Sequence, residues 1–345
     1  MAATNRLQVR CNLGRSVWVP EMPLADRVRD LLRCPCCGGR LCHSAEQLEC
    51  VNSDCASEFP VLNGVPILLN EANGLFDLQD NRKRLSRRPT WRESITNLMK
   101  RVVPNLTVNV RACRNFRRLA KLLEDVGPDP LVLLIGAGTL GDGTSELKSN
   151  RRLELLETDV VVEERTQLAC DAHFLPFANE SFDCVVIQAV MEYLQDPFQC
   201  VSEIHRVLKR GGLVYSEAPF LLPVHGRDHD FMRFTQVGHR RLYCHFSEIS
   251  SGVCGGPAST LACSIQYFAL SCIPLPQLRN TVKAVARFLL FWLKYLDYVL
   301  ADTKAGGDAA AGTYFLGTKS DRVRSDREIL LDYRGAGTVD GIFHR

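Results

Sequence analysis

Residues 131–143 read "LVLLIGAGTLGDG". An uninterrupted apolar run enters a glycine-rich turn with GxGxxG spacing at Gly136, Gly138 and Gly141, Ala137 lying between the first two. Such a run suits a strand buried on both faces. Glycines after it let the backbone come close to a ligand at the strand's carboxyl end. NAD-, FAD- and S-adenosylmethionine-binding sheets all use such a first turn, so the motif alone does not choose between them.

The residues downstream extend the pattern. "RLELLETD" (152–159) ends on Asp159, eighteen residues past Gly141. An acid there can accept both hydroxyls of a ribose. Glu157 is the rival, but it lies within the strand. "TQLACDA" (166–172) ends a third strand at Asp171, whose carboxylate or neighbouring amide can meet an adenine amino group; a turn cap is the alternative. "FDCVVIQA" (182–189), "PFQCVSEIHRVLK" (197–209) and "GGLVYSEA" (211–218) read as strand, helix and strand. This alternation predicts a parallel sheet with helices on both faces. Val201, Ile204, Val207 and Leu208 form one apolar helix face, and Gly211-Gly212 is expected to end that helix in the left-handed region.

The run "LPFANESFDCVVIQAVMEYLQDPFQCVSEIHRVLKRGGLVYSEAPF" (175–220) resembles class I S-adenosylmethionine-dependent methyltransferases of the group with "D…LPF…FD…L…RVLKPGG". A dinucleotide dehydrogenase does not follow this pattern. The resemblance implies an α/β fold: a Rossmann-like, doubly wound, mostly parallel seven-stranded sheet, closed by "TYFLGTK" (313–319). Carried over by position, it implies that Gly136, Ala137, Gly138 and Gly141 pass the methionine part of S-adenosylmethionine. Asp159 would hold the ribose, Asp171 and Ala172 would flank the adenine, and Gln188 would lie beside the sulfonium. The chain departs from the family at Leu134, where many members carry Asp or Glu; Asp142 and Glu146 are the nearby acids. Tyr193 stands where a histidine is common. The Leu134 departure motivates an alternative, a cofactor-binding scaffold or activator without chemistry.

"APFLLPVHGRDHDFMRFT" (218–235) follows the fifth strand and resembles "PF…P.HG.P.DY.RFT", found in a subgroup of bacterial-type methyltransferases. Methyl transfer is a direct displacement that needs alignment, plus a base where the acceptor keeps a proton. His225 is the base candidate, because imidazole titrates near neutrality. Arg227 or Arg233 could fix an anionic acceptor group; alternatively Asp230 and Arg233 pair to shape the loop and His229 is solvated. Residues 220–260 read as loop-rich. Residues 281–301 read as one long amphipathic helix, expected to pack on the sheet, with a partner or a membrane interface as alternatives. "KAGGDAAAG" (304–312) reads as a flexible link.

Upstream, "LLRCPCCGGRL" (31–41) crowds three of the chain's fifteen cysteines into four positions. Cys34 and Cys37 form a CxxC pair, and Cys50 and Cys55 form a CxxxxC pair twelve residues on. Two such knuckles suit tetrahedral Zn²⁺. Cys36, Cys42 and His43 are possible substitutes as ligands, and a redox pair is the competing reading. Gly38-Gly39 lets amides turn back toward the sulfurs, and a unit this small needs metal to fold. Together with "FPVLNGVPILL" (59–69), the stretch resembles the small zinc-ribbon family whose eukaryotic member activates tRNA, rRNA and translation-factor methyltransferases. The resemblance implies that one chain carries both ribbon and catalytic sheet, which in related enzymes are two chains.

The expected organisation is a flexible N-terminus (1–25), a zinc ribbon (26–70), a basic, partly helical linker (71–125), a methyltransferase domain (126–320) with the 281–301 helix inserted, and a polar tail (321–345). Net charge is +3, too mild to argue for nucleic acid. The arginines of "RKRLSRRPTWR" (82–92) allow RNA binding without favouring it. No secretory pattern opens the chain and no apolar run suits a membrane span, which points to the cytoplasm. The acceptor stays open among small molecule, glycan, lipid-linked intermediate, RNA and protein, and nothing sets an oligomeric state.

Overall fold

The computed structural model describes residues 8–10, 16–18, 24–44, 47–72, 76–79, 81–82, 103–138, 141–225 and 229–337. The arginine-rich stretch 82–92 lies outside them apart from Arg82, as does Arg227.

A two-stranded antiparallel hairpin, β1 (Gln8–Arg10) and β2 (Ser16–Trp18), stands apart from the main sheet. Helix α1 (Asp26–Leu31) leads into the cysteine-rich unit, a meander of β3 (Leu41–Ser44), β4 (Gln47–Cys50), β5 (Glu58–Leu62) and β6 (Val65–Leu68). Asn63 and Gly64 turn between the last two strands with φ of 52° and 84°. Both angles lie in the left-handed region that an Asn-Gly hairpin turn requires.

Helix α2 (Ala112–Glu124) precedes β7 (Leu131–Ile135), β8 (Glu154–Asp159), β9 (Leu168–Cys170) and β10 (Phe182–Gln188). Then come α3 (Pro197–Val207), β11 (Leu208–Pro219), α4 (Gln236–Leu242), β12 (Phe246–Gly255), helices α5 (Pro257–Ser271) and α6 (Pro276–Leu290), β13 (Gly312–Lys319) and α7 (Asp326–Leu331). From β9 to β12 the sheet runs β9-β8-β7-β10-β11-β13-β12. β7 to β11 pair in parallel, and β13 is antiparallel to both its neighbours. β7 is buried at all five positions, as its apolar run requires.

The sheet is larger than the seven strands expected. β6 pairs in parallel with β9, Ile67 opposite Ala169 and Leu68 opposite Cys170, so the four strands of the cysteine-rich unit complete one eleven-stranded sheet. An unpaired β9 would offer a row of open backbone groups, and β6 covers them. The hydrophobic core is continuous across the join. Leu48 and Phe59 of the ribbon belong to the same buried cluster as Phe177, Ile187 and Ile204. On the opposite face α2 buries Phe116, Leu119 and Leu123 against Leu134, Val186 and Tyr215.

Helix α3 starts as its sequence indicates: the Asp196 carboxylate accepts from the Gln199 amide at 3.0 Å, with Pro197 at the first turn. Val201, Ile204, Val207 and Leu208 are all buried. The helix ends at Val207 rather than at the glycines. Gly211, with φ of 70°, instead falls in β11 where the register against β10 shifts between Phe182 and Cys184, a bulge.

Three further expectations are corrected, and the polar tail proves to be docked as far as residue 337. Residues 220–260 hold α4 and all of β12, a central contributor to the far edge. Residues 281–301 are not one helix: α6 begins at Pro276 and ends at Leu290, and short turns at Leu293–Leu296 and Asp297–Leu300 follow. "KAGGDAAAG" contains the helical turn Lys304–Asp308 with Gly306 and Gly307 buried. At the tail, buried Arg240 pairs with Glu248 at 2.9 Å and with Asp332, Arg324 pairs with Glu248 at 2.8 Å, and Ile329 is buried.

Candidate cofactor cavity and metal centre

The glycine turn sits at the carboxyl ends of the parallel strands. Gly136 has φ of 76°, and a Cβ there would come within 2.2 Å of Val190. Only glycine serves both demands. The Gly136 and Ala137 amides donate to the Thr158 carbonyl at 2.9 Å each, tying the turn to the end of β8. The Gly138 amide donates to Asp159 Oδ2 at 2.9 Å, and the Val161 amide to Asp159 Oδ1 at 3.2 Å. The carboxylate is thus aimed by two backbone amides, and each oxygen keeps a further lone pair.

A cavity of about 950 Å³ opens above this row. Its walls include Gly136, Gly138, Gly141, Asp159, Asp171, Ala172 and Gln188, so seven of the eight cofactor positions read from the sequence converge on one space. The eighth, Ala137, is buried beneath it. The volume suits a nucleoside-bearing ligand.

Asp171 follows β9 directly. Its Oδ1 accepts from the His173 amide at 2.9 Å and from His173 Nδ1 at 2.6 Å, while His173 Nε2 accepts from the Asp196 amide at 3.2 Å. The two bonds hold the imidazole with its proton on Nδ1. His173, which also lines the cavity, was not singled out from the sequence; its position two residues after an Asp, inside "LACDAHFLPF", was the available signal.

Gln188 ends β10. Its Nε2 donates to Glu217 Oε2 at 2.7 Å and to the Asp142 carbonyl at 3.2 Å, while its buried Oε1 has no hydrogen-bond partner among the described residues. Glu217 stands directly across from Gln188 in β11. Its carboxylate accepts from Asn109 Nδ2 at 2.9 Å and from the Tyr215 hydroxyl. Burial pushes the Glu217 carboxyl above its ordinary value, against the pull of those donors. Leu134 is buried in the core, and Glu146 pairs with Arg117 at 2.9 Å. Glu217, two strands from the glycine turn, is joined to it through Gln188, whose Nε2 also donates to the Asp142 carbonyl next to Gly141.

At the other end of the cavity stand Phe76, Tyr193 and His229. The Phe76 and His229 rings lie 6.0 Å apart. Burial pushes the Tyr193 hydroxyl up to about 12, which keeps it protonated near neutrality. His225 does not line the cavity. It sits behind Tyr193, ring to ring at 5.9 Å, with Nδ1 3.3 Å from the Pro223 carbonyl and Nε2 3.5 Å from buried Glu192. The Glu192 carboxylate raises the His225 pKa above its ordinary value. Arg233 is engaged with Asp230. Asp230 and Arg233 thus take the pairing that was the sequence's alternative, and His225 faces Glu192 behind Tyr193 rather than the cavity.

In the ribbon, the sulfurs of Cys34, Cys37, Cys50 and Cys55 all lie within 4.8 Å of one another. Two of the separations are 3.8 Å (Cys34 to Cys55) and 3.4 Å (Cys37 to Cys50). Four thiolates about 2.3 Å from a tetrahedral zinc stand about 3.8 Å apart, so the set fits that ion. The Gly39 amide donates to Cys37 Sγ at 3.4 Å, after Gly38 turns with φ of 72°. The Ser57 hydroxyl, 3.1 Å from Cys55 Sγ, pulls that thiol down to about 7, while burial pushes Cys34 up. Cys36 is exposed, and both it and Cys42 lie outside the group.

The two sites are mechanically joined. β6 clamps β9, whose next residues are Asp171 and Ala172. The Arg33 amide donates to Pro176 O and the Ala178 amide to Leu31 O, both at 2.8 Å. Beyond β6 the chain supplies Phe76 to the cavity, and Asn81 accepts from the Val162 amide at 2.7 Å.

Residues 144–216 match a family model described as a methyltransferase domain. On that match the protein is a methyltransferase, an enzyme. No curated protein matches the chain. Among solved structures it is similar to a protein proposed as a sarcosine dimethylglycine methyltransferase from Galdieria sulphuraria, at 16% identity and a TM-score of 0.40, over 61% of this chain and 87% of that one. It is also similar to phosphoethanolamine N-methyltransferase 2 of Haemonchus contortus, with 17% identity, TM-score 0.38, and coverage of 60% and 53%. A third likeness is to a complex between the Haloferax volcanii Trm112 methyltransferase activator and a proposed methyltransferase, with 16% identity, TM-score 0.38, and coverage of 59% and 97%. Likenesses this distant decide nothing about substrate or partner.

Proposed function

We propose that this chain transfers the methyl group of S-adenosylmethionine, in the cytoplasm, to an acceptor entering past Tyr193 and His229, and that a zinc-bearing ribbon in the same chain holds one wall of the cofactor site. The observation that carries the reading is the row of strand ends: the glycine turn after β7, Asp159 at the end of β8 and Asp171 after β9 all face one cavity. The cofactor supplies a methyl carbon made electrophilic by its sulfonium. The remaining work falls to the protein.

Asp159, oriented by two amides, accepts the ribose hydroxyls through its remaining lone pairs. Asp171 and Ala172 flank the adenine, with His173 locking the Asp171 carboxylate. Gln188 Oε1 lacks a donor, and a buried orphan acceptor at a binding wall asks for one. We assign it to the ammonium of the methionine part, with Glu217 behind it taking the role that Leu134 cannot fill. For an acceptor that keeps its proton, His229 is the base within the cavity. His225 and Glu192 steady Tyr193 from behind. Phe76 and Tyr193 exclude water from the line of displacement.

Calorimetry on the zinc-loaded chain tests the first step. Binding of S-adenosylmethionine is expected, and its absence overturns the reading. Gly138→Arg should weaken binding more than about 100-fold, because a Cβ there already meets Asp159 Oδ2 at 2.8 Å. Labelled-methyl transfer into cell extract, fractionated into RNA, protein, lipid and small molecules, then identifies the acceptor class. Tight binding with no transfer to any fraction would turn the reading toward a scaffold.

A further inference from the structure

Fifteen of the twenty-four large apolar side chains exposed among the described residues fall between Leu261 and Leu300. Phe268 is 72% exposed, Leu289 66% and Val299 73%. Along α6 the exposed Leu278, Val285 and Leu289 recur at helical spacing, Phe288 widens the stripe, and Trp292, Tyr295 and Val299 continue it beyond the helix. A soluble surface rarely carries so large an apolar area without an occupant.

The charges say which occupant. Residues 257–300 contain four basic residues, Arg279, Lys283, Arg287 and Lys294, and one acid, Asp297. That acid is fully buried, accepting from the Ala258 and Ser259 amides at 2.8 and 3.0 Å at the start of α5. The outer surface is thus apolar and basic. Trp292, Tyr295 and Tyr298 are exposed at one end, the residue types that settle at the level of lipid headgroups. No helix among the described residues is long and apolar enough to cross a membrane; α5 and α6, at about 22 Å each, can lie on a bilayer but not span it. A protein groove takes one narrow stripe from a helix, whereas this exposure spreads over both helices and the turns after them. It also adjoins the acceptor side: the Tyr267 hydroxyl donates to the Val224 carbonyl at 3.3 Å, and Leu221 and Val224 of that loop are exposed.

We propose that the helical hairpin 257–300 is a membrane-surface anchor that seats the protein on an anionic phospholipid bilayer, its aromatic and aliphatic side chains in the interface and its basic residues among the headgroups. The seat is independent of whether the chain transfers methyl groups.

The test is co-sedimentation of the full zinc-loaded chain with phosphatidylcholine vesicles, with and without phosphatidylserine, at low and high salt. Expected is pelleting with the anionic vesicles that weakens at high salt and largely fails with phosphatidylcholine alone. Phe288→Asp should lower the partition at least about tenfold, and Arg279→Glu at least about fivefold, from the roughly 1 kcal/mol that a basic residue contributes at such a surface. Both variants should keep their zinc content and circular dichroism. Val126→Asp, at an exposed apolar site elsewhere, should pellet like the unaltered chain. Absence of pelleting, equal pelleting with neutral vesicles, or indifference to Phe288→Asp overturns the proposal. So does a stable dimer in sedimentation equilibrium that Phe288→Asp dissociates, which would make a second copy the occupant.

Discussion

The sheet carries two additions, one before β7 and one inserted between β12 and β13, and they are built on opposite principles. The cysteine-rich unit is small, yet Leu48, Phe59 and Val65 are buried, its strands continue the main sheet, and its core merges with the main core. The helical hairpin 257–300 is of similar length, yet its largest side chains face outward. Asp297 ties its two ends to each other, and its bonds to the rest of the chain include Thr260 Oγ1 to the Ala309 carbonyl at 3.1 Å and Lys294 to the Asn105 carbonyl at 3.0 Å, with small residues such as Ala258 and Ala262 packed inward. Backbone pairing plus a four-sulfur cluster commits the first unit to the fold. The second keeps its apolar area available, which is what a surface meant for another phase must do.

Breaking the metal set should have the largest effect. Structural zinc contributes on the order of 10 kcal/mol to folding a unit of this size. Cys34→Ser, or chelation, is expected to release the metal, loosen β6 from β9 and weaken cofactor binding with it; Cys36→Ser should leave zinc content unchanged. Metal analysis with calorimetry checks both, and zinc lost from Cys36→Ser but kept by Cys34→Ser would reverse the ligand assignment. Next comes Phe59→Ala, which opens a cavity in the shared core and should cost about 3–5 kcal/mol in denaturant unfolding. Asp297→Ala leaves two buried amides without their acceptor and should cost about 1–3 kcal/mol. Hydrogen exchange should place that loss in α5, with β7 to β10 unchanged; a loss spread over the whole sheet would mean that the hairpin is more deeply integrated than its packing indicates. Smallest is Phe288→Ser, expected within about 0.5 kcal/mol of the unaltered chain because the ring is already in solvent. A cost like that of Phe59→Ala would erase the contrast between the two additions.

Much of the centre was legible in the linear chain. The strand-turn-strand order from Leu131 to Pro219 follows from continuous apolar runs broken by turn residues, and Asp159 and Asp171 occupy strand ends because they close those runs. The four sulfurs come together as their spacing indicates, since a knuckle is a local structure and its geometry is written in a few neighbouring residues. The misreadings fall where local pattern and packing part. Residues 246–255, "FSEISSGVCG", are too polar to announce a strand; β12 forms because β13 supplies its hydrogen bonds. The amphipathic pattern of 281–301 reads as a face packed on the sheet, because period alone reports that one side is apolar and not which side meets the protein. The polar tail is held by Arg240, Arg324 and Arg334 converging on Glu248 and Asp332, pairs whose members lie up to 92 residues apart.

The class of sheet, the glycine turn, the acids at two strand ends and the cysteine set were readable from local pattern, because each depends on residues close together in the chain. Packing of the whole chain placed the cysteine-rich strands in the main sheet, Glu217 against Gln188, His225 behind the cavity wall while His173 and His229 reach it, and the apolar face of the helical hairpin outward. Each of these is a choice among distant partners for the same hydrogen bond or the same buried area, and such choices are settled by the packing of the whole chain.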